Sequence, residues 1–146
     1  MEGLLMVVPV LGIVALLFAA YLASKVNKQD AGTDRMKEIA AAINDGAKAF
    51  LTAEYKILVI FVAVLFVLIG IGIGNWVTAI CFVIGAVFST VAGYVGMTVA
   101  TRANVRTANA ARTGGMNKAL SIAFSGGAVM GMCVAGLGVL GVGAIM

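Results

Sequence analysis

Histidine is absent from the 146-residue sequence, and cysteine occurs only twice. Zinc sites are built from clustered cysteine and histidine side chains. Cys81 and Cys133 lie in different apolar stretches, so the sequence argues against a zinc centre and against a disulfide. Both cysteines are expected to act as small hydrophobic side chains.

Charge is also scarce. Only 11% of the residues are charged and 62% are hydrophobic, with a mean hydropathy of +1.11. A soluble domain has about 25% charged residues. All basic residues fall in two clusters, which are Lys25, Lys28, Arg35, Lys37, Lys48 and Lys56, and then Arg102, Arg106, Arg112 and Lys118. Because these clusters flank neutral apolar stretches, the net charge of +4 is not a footprint of nucleic-acid binding.

Four apolar blocks separate the polar regions. They are Leu4–Ala23, Ile57–Ile73, Val77–Ala100 and Ala119–Met146. About 20 residues of helix cross a bilayer, so the sequence predicts an all-α membrane protein with four transmembrane helices. Residues 1–146 are expected to form a single transmembrane segment. Tyr55 and Trp76 are predicted at the two membrane interfaces of the second helix, where amphipathic rings are favoured.

The basic clusters also predict an orientation. One lies between the first and second blocks and the other between the third and fourth, so both face the same side, the cytoplasm. The uncharged turn Gly74-Asn75 then faces outward, and the N-terminus lies outside. A signal peptide is not expected, because Glu2 precedes the first block and Lys25 follows it.

The first basic cluster contains a helix pattern. Thr33 or Asp34 can cap a helix. Apolar residues then recur at spacings of three and four, at Met36, Ile39, Ile43, Ala47 and Phe50. We predict one helix from about Asp34 through the second block, with an amphipathic cytoplasmic foot. The foot is either a stalk packed on neighbouring helices, which the spacing favours, or part of a catalytic funnel.

The second basic cluster is predicted to extend the third helix. Arg102, Arg106 and Asn109 share one face, and Gly114-Gly115 is expected to break the helix. Arginines can bind phosphate bidentately, but anchoring at lipid headgroups is the interpretation that we favour.

Small residues recur every four positions within the third and fourth blocks. Ala92, Gly96 and Ala100 form one stripe, and Gly127, Gly131 and Ala135 form another. Such stripes favour close helix packing in lipid. The blocks have no ionisable residue in their interiors, whereas ion paths across membranes usually do. A rotary-ring subunit, which the glycine-rich tail at residues 136–143 resembles, would need such a carboxylate.

Two segments resemble the membrane-bound, ion-translocating inorganic pyrophosphatases. The first begins at Gly32-Thr33-Asp34-Arg35-Met36-Lys37-Glu38-Ile39-Ala40 and continues to Glu54-Tyr55-Lys56. The second runs from Phe88-Ser89-Thr90 through Ala100-Thr101-Arg102-Ala103-Asn104-Val105-Arg106-Thr107 to Ala123-Phe124-Ser125-Gly126-Gly127. The similarity covers nearly the whole chain in order, and overall it leans toward the bacterial K⁺-stimulated Na⁺ type.

The resemblance implies a pump that couples hydrolysis of Mg²⁺-pyrophosphate to H⁺ or Na⁺ transport across the cell membrane, the inner membrane in a prokaryote. It implies a homodimer of subunits with sixteen transmembrane helices, an external N-terminus, Mg²⁺ as cofactor and K⁺ as a second candidate. The first four helices belong to an outer ring in that family. This chain is therefore expected to be an N-terminal fragment, an expectation that the apolar end at Met146 also favours.

No catalytic, cofactor-binding or metal-binding residue is predicted in this chain. The acidic and lysine-rich substrate motifs of the family do not occur in it, and its acids Asp30, Asp34, Glu38, Asp45 and Glu54 are scattered along a stretch that lysines balance. Arg102, Arg106 and Arg112 match the family pattern and are interpreted as structural or interfacial. The isolated chain is expected to be inactive; the alternative is a standalone four-helix membrane scaffold or assembly protein.

Overall fold

The computed structural model describes the backbone of residues 2–145 and the side chains of residues 7–143. These residues form three helices, α1 (Glu2–Asn27), α2 (Asp34–Gly72) and α3 (Trp76–Ile145). All three are long and apolar enough to cross a membrane. The expected all-helical architecture is confirmed, but the third and fourth apolar blocks share α3. The predicted end of the fourth block, Met146, lies outside the described residues.

Helix α3 is interrupted at Gly115, whose φ of 76° and ψ of 178° are not helical. Glycine suits this position because it has no Cβ to clash at positive φ. The predicted break at Gly114-Gly115 is thus confirmed. It divides α3 into a first arm, residues 76–114, and a second arm, residues 116–145.

The two arms of α3 fold back on each other. A Cβ on Gly96 would meet Met130, one on Gly126 would meet Ala103, and one on Gly141 would meet the ring of Phe88. As the position on the first arm rises from 88 to 103, its partner on the second arm falls from 141 to 126. The arms are therefore antiparallel.

Helix α1 packs against this hairpin. Gly12 lies against Leu140, and Gly143 lies against Pro9, so α1 runs antiparallel to the second arm. The shared core is made of small and medium side chains, which let helix backbones approach closely in lipid. Its buried members are Ala19, Leu22, Ala92, Val99, Val129 and Cys133.

Only one of the two predicted small-residue stripes lies in this core. Ala92 and Gly96 are buried, but Gly127, Gly131 and Ala135 lie on the exposed face of the second arm. The buried face of that arm instead carries Ile122, Gly126, Val129, Cys133 and Gly136. Small residues occur on both faces of the arm, so their spacing alone does not identify the packed face.

Helix α2 packs against the first arm and extends beyond its apolar block. Thr33 is the N-cap, and its hydroxyl oxygen accepts a hydrogen bond from the Met36 amide at 3.4 Å. The Tyr55 hydroxyl donates to the Thr90 carbonyl at 3.0 Å. The Trp76 ring lies against Gly70. Both aromatic residues that were predicted at membrane interfaces therefore contact a neighbouring helix.

The foot of α2 contacts the first arm through a face that includes only part of the predicted apolar stripe. Asn44, Ala47 and Leu51 border a cleft against the first arm. Ile39, Ile43 and Phe50 from the predicted stripe are 49%, 45% and 56% exposed. The foot is helical, but most of its apolar stripe is not covered by the described residues.

Candidate functional site

The short connection between α1 and α2 forms a tight polar turn. The Gly32 amide donates to the Asp30 carboxylate at 3.0 Å. Gly32 has a φ of +86°, and a Cβ there would come within 2.9 Å of the Asn109 side chain. Glycine is required for both reasons, because it tolerates positive φ and leaves room for a close approach.

Arg106, on the first arm of α3, forms hydrogen bonds to the backbone at the C-terminal end of α1. Its Nε donates to the Gln29 carbonyl at 3.0 Å, and its Nη2 donates to the Asn27 carbonyl at 3.3 Å. Its Nη1 donates to the Arg102 carbonyl at 2.8 Å. The last carbonyls of a helix lack intrahelical partners and carry partial negative charge. The guanidinium therefore satisfies and stabilises the C-terminus of α1.

Asn109 lies one helical turn after Arg106 on α3 and contacts the connection between α1 and α2. Its side chain is buried, with only 4% of the residue exposed. Its Nδ2 donates to the Asp30 backbone carbonyl at 3.3 Å and to the Asp30 carboxylate at 3.2 Å. Its Oδ1 accepts from Arg112 Nη2 at 3.2 Å. We call Asn27, Gln29, Asp30, Gly32, Arg106, Asn109 and Arg112 the polar junction.

The polar junction stabilises the charged form of Asp30. The Gly32 amide hydrogen bond holds the pKa of the Asp30 carboxyl below its ordinary value of 3.8, and the Asn109 hydrogen bond and the positive charges of Lys37 and Arg112 act in the same direction. Partial desolvation opposes this shift. Asp30 is therefore a carboxylate at neutral pH, and the positive charges of Lys37 on α2 and Arg112 on α3 act on its negative charge.

The arrangement explains how the predicted arginines are used. Arg106 and Arg112 take part in the polar junction, whereas Arg102 contributes only its carbonyl and its side chain is exposed. The structural interpretation fits the contacts of Arg106. The roles of Asp30 and Asn109 were not predicted, although the sequence places Asn109 on the same face as Arg106.

The acidic side chains in the described part of the chain lie apart from one another. A Mg²⁺-pyrophosphate cluster needs several oxygen ligands around each cation. Within residues 7–143 no three histidine, cysteine or acidic side chains come together. Three foot acids instead pair with neighbours one turn away, at distances of 2.7 Å (Arg35–Glu38), 3.2 Å (Lys37–Asp34) and 4.0 Å (Lys48–Asp45).

Comparison with known proteins identifies the family. A family model described as inorganic H⁺ pyrophosphatase matches residues 13–146. The chain belongs to this family. A Clostridium tetani relative, provisionally named a K⁺-stimulated pyrophosphate-energized sodium pump, is 55% identical over 132 residues, which is 90% of this chain and 19% of the relative.

Two further pyrophosphatase relatives differ in the ion that their names state. A K⁺-insensitive pyrophosphate-energized proton pump of Methanosarcina mazei is 45% identical over 97% of this chain and 21% of its own length. A K⁺-stimulated pyrophosphate-energized sodium pump of Thermotoga maritima is 46% identical over 88% of this chain and 18% of its own length. The chain thus spans about a fifth of the length of these curated relatives.

Proposed function

We propose that this chain forms the first, outer helices of a pyrophosphate-energised cation pump. The pump would couple hydrolysis of Mg²⁺-pyrophosphate to H⁺ or Na⁺ translocation. The observation that carries this proposal is the family match over residues 13–146, together with relatives that are named as pumps. Mg²⁺, K⁺ in K⁺-stimulated members, and a homodimer belong to the proposal for the complete protein.

In the proposed topology, α1, the apolar part of α2 and both arms of α3 cross the cell membrane, which makes four spans. The N-terminus and the turn at residues 73–75 face outward. Contacts of Arg106 and Asn109 with the connection after α1 support this topology, because they bring both basic clusters to one end of the bundle. Lys and Arg concentrate on the cytoplasmic side of membrane proteins.

The proposed role of the chain is structural support. The polar junction joins the C-terminal end of α1 and the connection that follows it to the first arm of α3, and the exposed apolar foot offers a surface for later parts of the pump. Binding of pyrophosphate and Mg²⁺, and passage of the ion, would be carried by residues beyond this chain. No step of the reaction is assigned to the residues described.

Labelling of single cysteines tests the topology. In a Cys81→Ala, Cys133→Ala background, we expect the Asn75→Cys variant to react with a membrane-impermeant maleimide added to intact cells. The Lys37→Cys variant is expected to react only after the cells are permeabilised. The reverse pattern would contradict the proposed orientation, and equal labelling of both sites would contradict a spanning α2.

Hydrolysis measurements test the proposal that the active site lies outside this chain. The purified 146-residue chain in lipid vesicles is expected to release no phosphate from pyrophosphate above a vesicle blank, with or without Mg²⁺ and K⁺. A Mg²⁺-dependent turnover that follows the purified chain would refute the proposal that the active site lies elsewhere.

A further inference from the structure

A small basic pocket lies between the end of α1 and the start of the second arm. Its volume is about 180 Å³. Lys25 borders it from the last turn of α1, and Gln29 borders it from the connection that follows. Lys118, Ser121 and Ser125 border it from the second arm, at spacings of three and four that place them on one helix face. Val26 and Ile122, both buried, form its floor.

The positive charge of this basic pocket has no ion-pair partner among the described side chains. Among residues 7–143, no acidic side chain lies within 4.0 Å of either Lys25 or Lys118, since the three ion pairs found all lie on the foot of α2. The Ser125 hydroxyl donates to the Ser121 backbone carbonyl at 2.7 Å, and the Ser121 side chain borders the pocket. Two ammonium groups and a hydroxyl around one pocket are a donor set for a phosphate group.

The basic pocket also lies at a defined position relative to the apolar blocks. Lys25 follows the first block by two residues, and Lys118 directly precedes the fourth block. Under the membrane placement proposed above, on which this inference rests, the pocket opens at the level of the lipid headgroups. Tyr21 and Leu17, one and two turns from Lys25 toward the bilayer, are 62% and 66% exposed and extend the same face as an apolar surface.

We propose that the basic pocket binds the phosphate of an anionic phospholipid, with the acyl chains lying along the exposed face of α1. Basic pockets between transmembrane helices at the cytoplasmic surface are suited to anionic headgroups. Inorganic phosphate offers the same chemistry to the lysines but lacks a group that would contact the apolar surface. The continuous apolar face beside the pocket therefore favours the lipid as the source of the phosphate.

The test measures binding of phosphatidylglycerol to the purified chain in neutral detergent, with phosphatidylcholine and inorganic phosphate as alternative probes. The pocket variant is Lys25→Gln combined with Lys118→Gln. The matched control is Lys48→Gln combined with Lys56→Gln, which removes the same charge from α2 without touching the pocket. Slow maleimide labelling of the buried Cys133 reports that each variant remains folded.

We expect the chain to prefer phosphatidylglycerol over phosphatidylcholine, and the pocket variant to bind phosphatidylglycerol about tenfold more weakly. The control is expected to retain the affinity of the original chain. Equal loss in both variants would show diffuse attraction and overturn the inference. Displacement of the lipid by inorganic phosphate, without preference for phosphatidylglycerol, would also overturn it by assigning the pocket to free phosphate. Reversed cysteine labelling of Asn75 and Lys37 would instead contradict the membrane placement itself.

Discussion

Two adjacent glycines on the second arm of α3 allow a sharp test of the packing. Gly126 faces the first arm, and a Cβ there would lie 2.7 Å from the Ala103 Cβ. Gly127 faces outward, and a Cβ there would have nothing within 4 Å. We therefore compare Gly126→Ala with Gly127→Ala, two identical changes one residue apart on the same helix.

The expected difference follows from the contact distance. Carbon atoms pack best at about 3.5–4.0 Å, so an alanine at 126 forces the two arms apart by about 1 Å. Overpacking of this kind costs about 1–3 kcal/mol. Each alanine also gains up to about 1 kcal/mol of helix propensity, but this gain cancels in the comparison. Gly126→Ala is therefore expected to be about 1–3 kcal/mol less stable than Gly127→Ala, or roughly 5- to 150-fold in the unfolding equilibrium.

The buried thiol of Cys133 supplies the assay. Cys133 is 7% exposed and lies on the same arm. In a Cys81→Ala background, its maleimide labelling during an SDS titration reports separation of the arms. We expect the labelling midpoint to fall for Gly126→Ala and to stay or rise for Gly127→Ala. Equal midpoints, or a lower midpoint for Gly127→Ala, would refute the assigned packing face.

Three other predictions concern the polar junction. Arg106→Gln should cost about 1.5–3 kcal/mol and speed hydrogen exchange at residues 27–33, whereas the exposed Arg102→Gln should leave that exchange unchanged. Gly32→Ala should lower the Cys133 labelling midpoint more than Gly74→Ala. Both glycines have a positive φ, which costs an alanine about 1–3 kcal/mol of strain, but only at Gly32 would the added Cβ also meet neighbouring side chains. Equal shifts of the two midpoints would contradict this crowding at Gly32. Because the folded pKa of Asp30 is depressed, its stabilisation is present above the ordinary value of 3.8 and is lost as the pH falls through the folded pKa. The protection of the amides at residues 27–33, corrected for the pH dependence of intrinsic exchange, should therefore fall on acidification, and Asp30→Asn should abolish this fall; an unchanged pH profile of protection in that variant would exclude Asp30 as its source.

Features that depend on neighbouring residues could be predicted from the sequence. The cap at Thr33 and the break at Gly115 are local, because a side-chain oxygen or a missing Cβ acts within one turn of the backbone. The long apolar blocks likewise indicate membrane helices without knowledge of their partners. The continuous helix from Asp34 was predicted because no proline interrupts the sequence from there to Gly72.

Features that depend on distant residues could not be predicted in the same way. Arg106 bonds to a carbonyl 77 residues earlier in the chain, and nothing in the spacing of the arginines reveals that partner. The second arm packs on the first arm through the face that carries Gly126, whereas the predicted stripe begins one residue later, at Gly127. Both faces carry small residues, so their spacing does not distinguish them. In the foot, Ile39, Ile43 and Phe50 have a regular helical spacing, but the spacing does not identify the surface that covers them.

The abrupt reversal at Gly115 makes the hairpin sensitive to chain length. Helix continues on both sides of this residue without an intervening loop, so no flexible residues separate the two arms. Inserting or deleting one residue there would rotate the second arm by about 100° around its axis relative to the first. Val129 and Cys133 would then leave the core together. Insertions in this connection should therefore be much less tolerated than insertions at the open turn around Gly74, where the helices on either side are held by their own contacts.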